Sequence, residues 1–402
     1  MTVITVAAGR IISGGRALEP GWFTMYDGRI VAVGEGAPPT LPDREFPDAT
    51  IVPGFIDMHV HGGGGTGYTD GVAEEIVAAA AFHRTHGTTT TLASLVSASP
   101  SALLDQVAAL REQVEAGVIA GIHLEGPWLS HARCGAHDPT TLRDPDPEEI
   151  SALLRAGGGA VRMVTIAPEL DGGLDAIRRI ADAGVVAAVG HTEATYEQTR
   201  AAVGAGARVG THLFNAMRPL RHREPGPVLA LLGDDRVTVE LVGDGVHVHR
   251  DLASYVERVA GPRRIALVTD AMSAAGMSDG SYRLGVLDVD VTDGVARVRE
   301  TGAIAGSTAT MDLLFRRAAQ GLSDGGPITR EALIAAVEMC SRTPARAIGL
   351  DGVGDLLPGY VADHLVIDAD AQLVEVVVGG RPGSMVQTGA GAPDRWSSAA
   401  ER

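Results

Sequence analysis

The sequence predicts an α/β protein built as a (β/α)8 TIM-like barrel, with a small β-sandwich formed from the two ends of the chain. Three observations carry this reading. Between about Pro53 and Leu350, eight short apolar segments alternate with helical stretches, the pattern of parallel strands joined by helical crossovers. Polar, ligand-type residues recur at the C-terminal ends of these segments, which favours a barrel over a doubly wound open sheet. The first 52 residues and the segment after Gly352 share another style, short strands broken by Gly-rich turns.

In chain order, the N-terminal strands turn at Asp27-Gly28 and Gly34-Glu35-Gly36. The eight barrel strands are expected at Gly54–Val60, Thr88–Leu95, Val118–Glu125, Val161–Ile166, Gly184–Gly190, Ala207–His212, Arg236–Gly243 and Arg264–Asp270. Helical stretches such as Ala73–Thr85 and Pro100–Ala116 lie between them, and eight such units over ~250 to 300 residues fit a single barrel. Tyr282–Val298 alternates apolar and polar residues around Asp293-Gly294 and predicts a hairpin inserted after the eighth strand. Val361–Ile367 and Val374–Val378 read as strands that return to pair with the N-terminal segment. The expected division is 1–52 with 352–382 as the sandwich, 53–351 as the catalytic barrel, and 383–402 as a mobile tail rich in Gly, Ser and Ala.

Composition narrows the function. With 45% hydrophobic and 21% charged residues in 402, disordered and collagen-like classes drop out. No apolar run approaches the ~18 residues of a membrane span, and Met1 to Gly15 lacks a charged region ahead of an apolar one. A cytoplasmic chain with no membrane partner is expected. The formal net charge of −17 repels phosphate backbones and disfavours nucleic acid. All 33 basic residues are Arg; lysine is absent. Schiff-base chemistry, a phosphate-loop lysine and a carboxylated-lysine metal bridge are thereby excluded, so any phosphate must be held by Arg, His or backbone amides. Cys134 and Cys340 are too few for a disulfide scaffold and lack structural-zinc spacing, which fits a reducing compartment. Cys134 is read as a free loop thiol.

The chemistry-bearing residues sit at strand ends. His59 and His61 are two apart at the end of the first strand, where a period of two points both to one face, and paired imidazoles there suit a divalent metal. His123 and Glu125 repeat the spacing on the third strand, where an inward carboxylate is either a ligand or a costly buried charge. His191 ends the fifth strand and His212 the sixth; with Glu125 they make a two-His, one-carboxylate set that leaves coordination open for water. Asp270 closes the eighth strand, one strand away from such a water, where a general base belongs or where a helix N-cap would stand.

Several runs, in order, resemble the N-acetylglucosamine-6-phosphate deacetylases of the amidohydrolase superfamily. They are Pro53-Gly54-Phe55-Ile56-Asp57-Met58-His59-Val60-His61-Gly62, His123-Leu124-Glu125-Gly126-Pro127-Trp128, Gly190-His191-Thr192, Thr211-His212-Leu213-Phe214-Asn215-Ala216-Met217, Asp244-Gly245-Val246-His247 and Thr269-Asp270-Ala271. The resemblance implies Glu125, His191 and His212 as principal metal ligands, His59 and His61 as a second site that some members lack, and Asp270 as catalytic acid/base. It implies His137 as the group polarising the amide carbonyl. It also implies sugar-phosphate contacts from Ala136, Asn215, Ala216, Arg223, His247 and the turn Ile304, Ala305, Gly306 and Ser307, with Arg223 reaching across a homodimer interface. The expected cofactor is one or two divalent ions per subunit, zinc first and iron or another ion as alternatives. The expected substrate is an N-acetylated amino-sugar 6-phosphate, N-acetylglucosamine 6-phosphate ahead of its galacto epimer. Alternatives are a D-aminoacylase-like or other amidohydrolase and a non-catalytic scaffold. Cyclic-amide hydrolases lack their bridging lysine here, deaminases would want a His-x-x-Glu where His191-Thr192-Glu193-Ala194 stands, and a scaffold would have lost ligands that this chain keeps.

Overall fold

The computed structural model describes residues 3–323 and 326–382; the expected tail at 383–402 lies outside the described residues. All eight expected barrel strands form, most of them shorter than the sequence suggests. They are Phe55–Asp57, Thr88–Leu95, Gly121–Glu125, Val161–Ile166, Val186–Val189, Val209–Gly210, Thr238–Leu241 and Ile265–Leu267, hydrogen-bonded in that order as a parallel sheet. The chain from the eighth strand returns to the first without a strand pairing. There the Asp57 carboxylate accepts from the amide and hydroxyl of Thr269, and the Asp270 amide donates to the His59 carbonyl at 2.9 Å. These bonds close the barrel and set His59 beside Asp270.

Side-chain alternation sorts the core. Ile122 and Leu124 face the helices, so His123 and Glu125 point inward. The interior is packed by Ile56, Met58, Leu92, Met163, Ala188, Val209, Ala266 and Val268, and Ala345 and Ile348 join the same cluster. The barrel is therefore a filled core, and only its C-terminal mouth is free for chemistry.

Eight helices follow the strands, and their ends are set locally. Pro100–Glu115 starts at Ser99, whose hydroxyl accepts from the Ala102 amide. Pro147–Gly157 starts at Asp146, which accepts from the amides of Glu148 and Glu149, and stops at Gly158 with φ +55°. Tyr196–Ala205 carries a reciprocal Thr195/Gln198 capping box.

Both chain ends join one mixed sheet beside the barrel. Arg44–Pro53 pairs parallel with Ile4–Ser13 and antiparallel with His364–Ile367, over a core of Val6, Ile11, Phe23, Ile30, Ile51 and Val366. The expected hairpin is a three-stranded meander, Gly280–Leu284, Leu287–Thr292 and Val295–Val298. Its Asp293-Gly294 turn forms as expected, and the expected range from Tyr282 already takes in part of the first strand, Gly280–Leu284, without separating it from its neighbour. With Val96, Met272 and Ala305 the meander builds its own apolar cluster over one side of the barrel mouth.

Candidate active site

The strand ends converge on a cavity of about 330 Å³ at the C-terminal mouth, within the range of small-molecule sites. His61, Glu125, His137, His191, His212, Asn215, Ala216, His247, Asp270, Ile304 and Gly306 line it, together with Ala136. Glu125 belongs to the third strand proper. The other metal-type residues lie just past their strands, which corrects one expectation: the first strand ends at Asp57, so strand alternation does not bring His59 and His61 together. They converge through the bend that follows, with their Nε2 atoms 3.2 Å apart. His191, His212 and Asp270 adopt left-handed backbone conformations, φ +47°, +25° and +48°. Such conformations cost about 1–3 kcal/mol each in residues other than glycine and persist where the surroundings enforce them, as at functional sites.

Two sets of three side chains could each hold a divalent cation. Glu125, His191 and His212 form one, and His59, His61 and Asp270 the other; within each set the ligand atoms lie within 4.8 Å of one another. Glu125 Oε1 is 3.1 Å from His191 Nε2 and 3.0 Å from His212 Nε2, and these nitrogens are 3.0 Å apart. His191 Nδ1 donates to the Arg133 carbonyl at 2.8 Å, which leaves its Nε2 as a bare acceptor. A carboxylate and two imidazole nitrogens converging this closely fit a divalent ion. The two sets also touch: His61 Nε2 is 3.1 Å from Glu125 Oε2 and 3.3 Å from Asp270 Oδ1.

Electrostatics point the same way. Burial opposes ionisation of Glu125, but His59 first, then the close approach of His137, His191 and His212, hold its carboxyl well below the usual carboxylate range. Burial likewise opposes Asp270, and His59 and His61 hold it ionised. Burial resists charge on His61, yet Asp270 and Glu125 raise its pKa to about 9. The carboxylates draw positive charge into a buried site, as protons or as metal.

His137 lies across the mouth. The Ser97 amide donates to its Nδ1 at 3.1 Å, so the neutral ring carries its proton on Nε2, 3.4 Å from Glu125 Oε2 and facing the cavity. His247 is held by Asp244, whose Oδ2 accepts from Nδ1 at 2.8 Å; burial resists its charge, and Asp244 outweighs that and raises its pKa. Asn215 donates to the carbonyls of His212 and Leu213.

Other expected contacts stand further back. Ala305 is packed in the meander's apolar cluster. The Ser307 hydroxyl donates to the Thr269 carbonyl and its amide to the Asp270 carbonyl, so Ser307 braces Asp270 from behind. Arg223 is exposed and does not line the cavity, and its neighbour Glu224 pairs with Arg218. His123, between Ser94 and Thr165 hydroxyls at 2.9 and 2.8 Å, is a satisfied core histidine. Sequence reasoning missed Glu240, wholly buried beside His59, and the cavity-lining Arg133 and Leu284. Glu240 had a signal, a lone carboxylate within the apolar run Val237–Val242.

A barrel mouth with two histidine–carboxylate sets is the site of a metal-dependent hydrolase class, and residues 50–389 match the amidohydrolase family. The chain belongs to the amidohydrolase family. Among its relatives it is 34% identical over 366 residues to an N-acetylglucosamine-6-phosphate deacetylase of Lysinibacillus sphaericus, covering 89% of this chain and 92% of that one. It is 35% identical over 374 residues to an N-acetylgalactosamine-6-phosphate deacetylase of Escherichia coli O157:H7, covering 90% and 96%. Among solved structures, a mutant N-acetyl-D-glucosamine-6-phosphate deacetylase of Mycobacterium smegmatis in complex with N-acetyl-D-glucosamine-6-phosphate is 54% identical, with a TM-score of 0.92 over 95% of this chain and 99% of that one.

Proposed function

We propose that this chain hydrolyses the N-acetyl group of N-acetylglucosamine 6-phosphate to glucosamine 6-phosphate and acetate, in amino-sugar catabolism or cell-wall recycling. The observation that carries the reading is the cavity itself, where His137 faces two adjoining cation-binding sets, one of which includes Asp270, in a chain 54% identical to a substrate-bound deacetylase. We take 53–351 as the catalytic barrel and 1–52 with 352–382 as the β-domain.

In this reading Glu125, His191 and His212 hold the principal divalent ion, zinc first, and His59 and His61 with Asp270 hold a second. When bound, such an ion lowers the pKa of water and polarises an amide carbonyl. The chain's own groups then divide the work. Asp270, ionised at neutral pH, accepts the proton of the attacking water as its oxygen closes on the amide carbon. The His137 Nε2–H donates to the carbonyl oxygen as negative charge develops there. Asp270 then returns its proton to the departing nitrogen, giving acetate and the free amine. His247, Asn215, Ala216, Ala136 and the 304–307 turn hold the sugar phosphate, with Ala305 and Ser307 acting by shaping that turn.

Phosphate recognition is assigned to Arg223 of a second subunit. Exposed Leu220, Leu229, Leu252 and Tyr255 flank this segment and its two packed helices, Gly226–Leu232 and Arg250–Ala260, an apolar surface suited to a homodimer. A cytoplasmic setting fits two free cysteines. Among the described residues no helix is long and apolar enough to cross a membrane. Acetate release measured side by side on N-acetylglucosamine 6-phosphate and its galacto epimer tests the assignment. A preference for the galacto epimer would replace the substrate while keeping the reaction, and no release from either would overturn it.

A further inference from the structure

Glu240 sits in the seventh barrel strand, Thr238–Leu241, where Val239 and Leu241 face the helices and Glu240, on the same face as Thr238, turns into the barrel. It is wholly buried, and no arginine pairs with it among the described residues. A carboxylate in such a place is unfavourable unless positive charge is nearby. Its Oε2 accepts from His59 Nδ1 at 2.9 Å and from the His212 amide at 3.1 Å, while Oε1 is buried without a partner. The backbone contact pins the carboxylate, and the pinned carboxylate orients the imidazole. With Nδ1 committed as a donor, His59 directs a bare Nε2 at His61 Nε2, 3.2 Å away, and at Asp270 Oδ1, 3.5 Å away. A carboxylate hydrogen-bonded to the far nitrogen of a histidine raises the ring's basicity and fixes its tautomer, the arrangement that supports metal-ligating histidines.

Charge balance adds a second argument. Glu125, Asp270 and Glu240 place three carboxylates around the two sets, connected through His59. A single dication leaves one negative charge uncompensated in a buried site, so a further positive charge, from a second cation or from a protonated imidazole, has to join it.

We propose that Glu240 is a positioning residue that makes His59, His61 and Asp270 a high-affinity site for a second divalent cation. The inference rests on the metal-dependent reading above, and its test separates the two. The full-length chain is stripped with a chelator and titrated with Zn²⁺, reading ions bound per chain and the affinity of each. Wild type takes two ions, and Glu240→Gln holds the second about 10- to 100-fold more weakly while the first stays within about threefold. In a His59→Ala background, which lacks the ligand that Glu240 serves, adding Glu240→Gln changes metal binding by less than about threefold, because the two residues act as one unit. Should Glu240→Gln not fold, Glu240→Asp keeps the charge, shortens the reach to His59 and gives the same ranking with a smaller loss. A wild-type chain that takes up no ion would defeat the metal-dependent reading itself. A wild type saturating at one ion, unchanged second-ion affinity in Glu240→Gln, or an undiminished effect of Glu240→Gln without His59 would each overturn the role of Glu240 alone.

Discussion

His191 and His212 meet Nε2 to Nε2 at 3.0 Å, over a single oxygen of Glu125. His191 has no proton to offer on that nitrogen once its Nδ1 donates to the Arg133 carbonyl, and His212 Nδ1 is buried without a partner. A shared cation would satisfy all three ligand atoms at once. Glu125→Ala or His191→Ala should therefore empty this set and abolish turnover, while His59→Ala should lower metal content and activity less. Metal analysis of each purified variant checks this ranking, and a His59→Ala chain that loses all its metal would reverse it.

Asp270→Asn should retain substrate binding and the ion held by Glu125, His191 and His212, and lose about 10²- to 10⁴-fold in kcat, because an amide of the same shape cannot exchange protons at neutral pH. Its backbone is fixed by the His59 carbonyl and the Ser307 amide, so the substitution leaves the loop in place. Metal loss with unchanged kcat per remaining ion would make Asp270 a ligand alone.

His137→Ala should reduce kcat by roughly 10²- to 10³-fold with little change in KM, since the ring's Nε2–H interacts most strongly with the charge that develops on the carbonyl oxygen. The Ser97 amide fixes that tautomer at 3.1 Å. A change in KM with kcat preserved would place His137 among the binding residues.

Arg223→Ala should lower kcat/KM on the phosphorylated sugar by roughly 10- to 150-fold, the loss of charge-assisted bonds of ~1.5–3 kcal/mol, and leave the unphosphorylated sugar nearly unaffected. Mixing inactive Asp270→Asn with Arg223→Ala subunits should restore activity in hybrid dimers. Equal losses on both sugars would make Arg223 structural.

Stability should fall on mild acidification, and His364 in the β-domain contributes. It is fully buried, its Nδ1 donates to the Ala362 carbonyl at 2.8 Å, and its Nε2 has no partner. Burial pulls its pKa down to about 4, against 6.5 for an ordinary histidine. Above pH ~6.5 neither state binds a proton there, and stability is full. As pH falls from 6.5 towards about 4 the unfolded chain binds the proton that the folded ring refuses, so stability is lost by up to ~1.4 kcal/mol per pH unit. Urea unfolding of His364→Gln over roughly pH 4.5–6 should show a slope shallower by about one proton. An unchanged slope would mean that the ring titrates normally in the fold.

Much of this was legible in the residues. The barrel strands stand out because they are buried on both faces and read as apolar runs between Gly and Pro. His59, His61, Glu125, His191, His212 and Asp270 could be named from their positions after those runs. Their convergence could not be derived by alternation, since most lie in bends whose left-handed residues and cross-strand bonds involve distant segments. Glu240 was overlooked because a search for motifs passes over a single charge, although burial makes that charge expensive. Arg133 acts through its carbonyl, which side-chain patterns do not reveal.

Metal-dependent deacetylation is tested by the acetate and free amine released from N-acetylglucosamine 6-phosphate by chelator-stripped protein before and after adding back Zn²⁺. Little release is expected from the stripped protein, and equal amounts of acetate and glucosamine 6-phosphate after metal is restored. Turnover that survives complete removal of metal, or restored protein that frees no acetate, would contradict it.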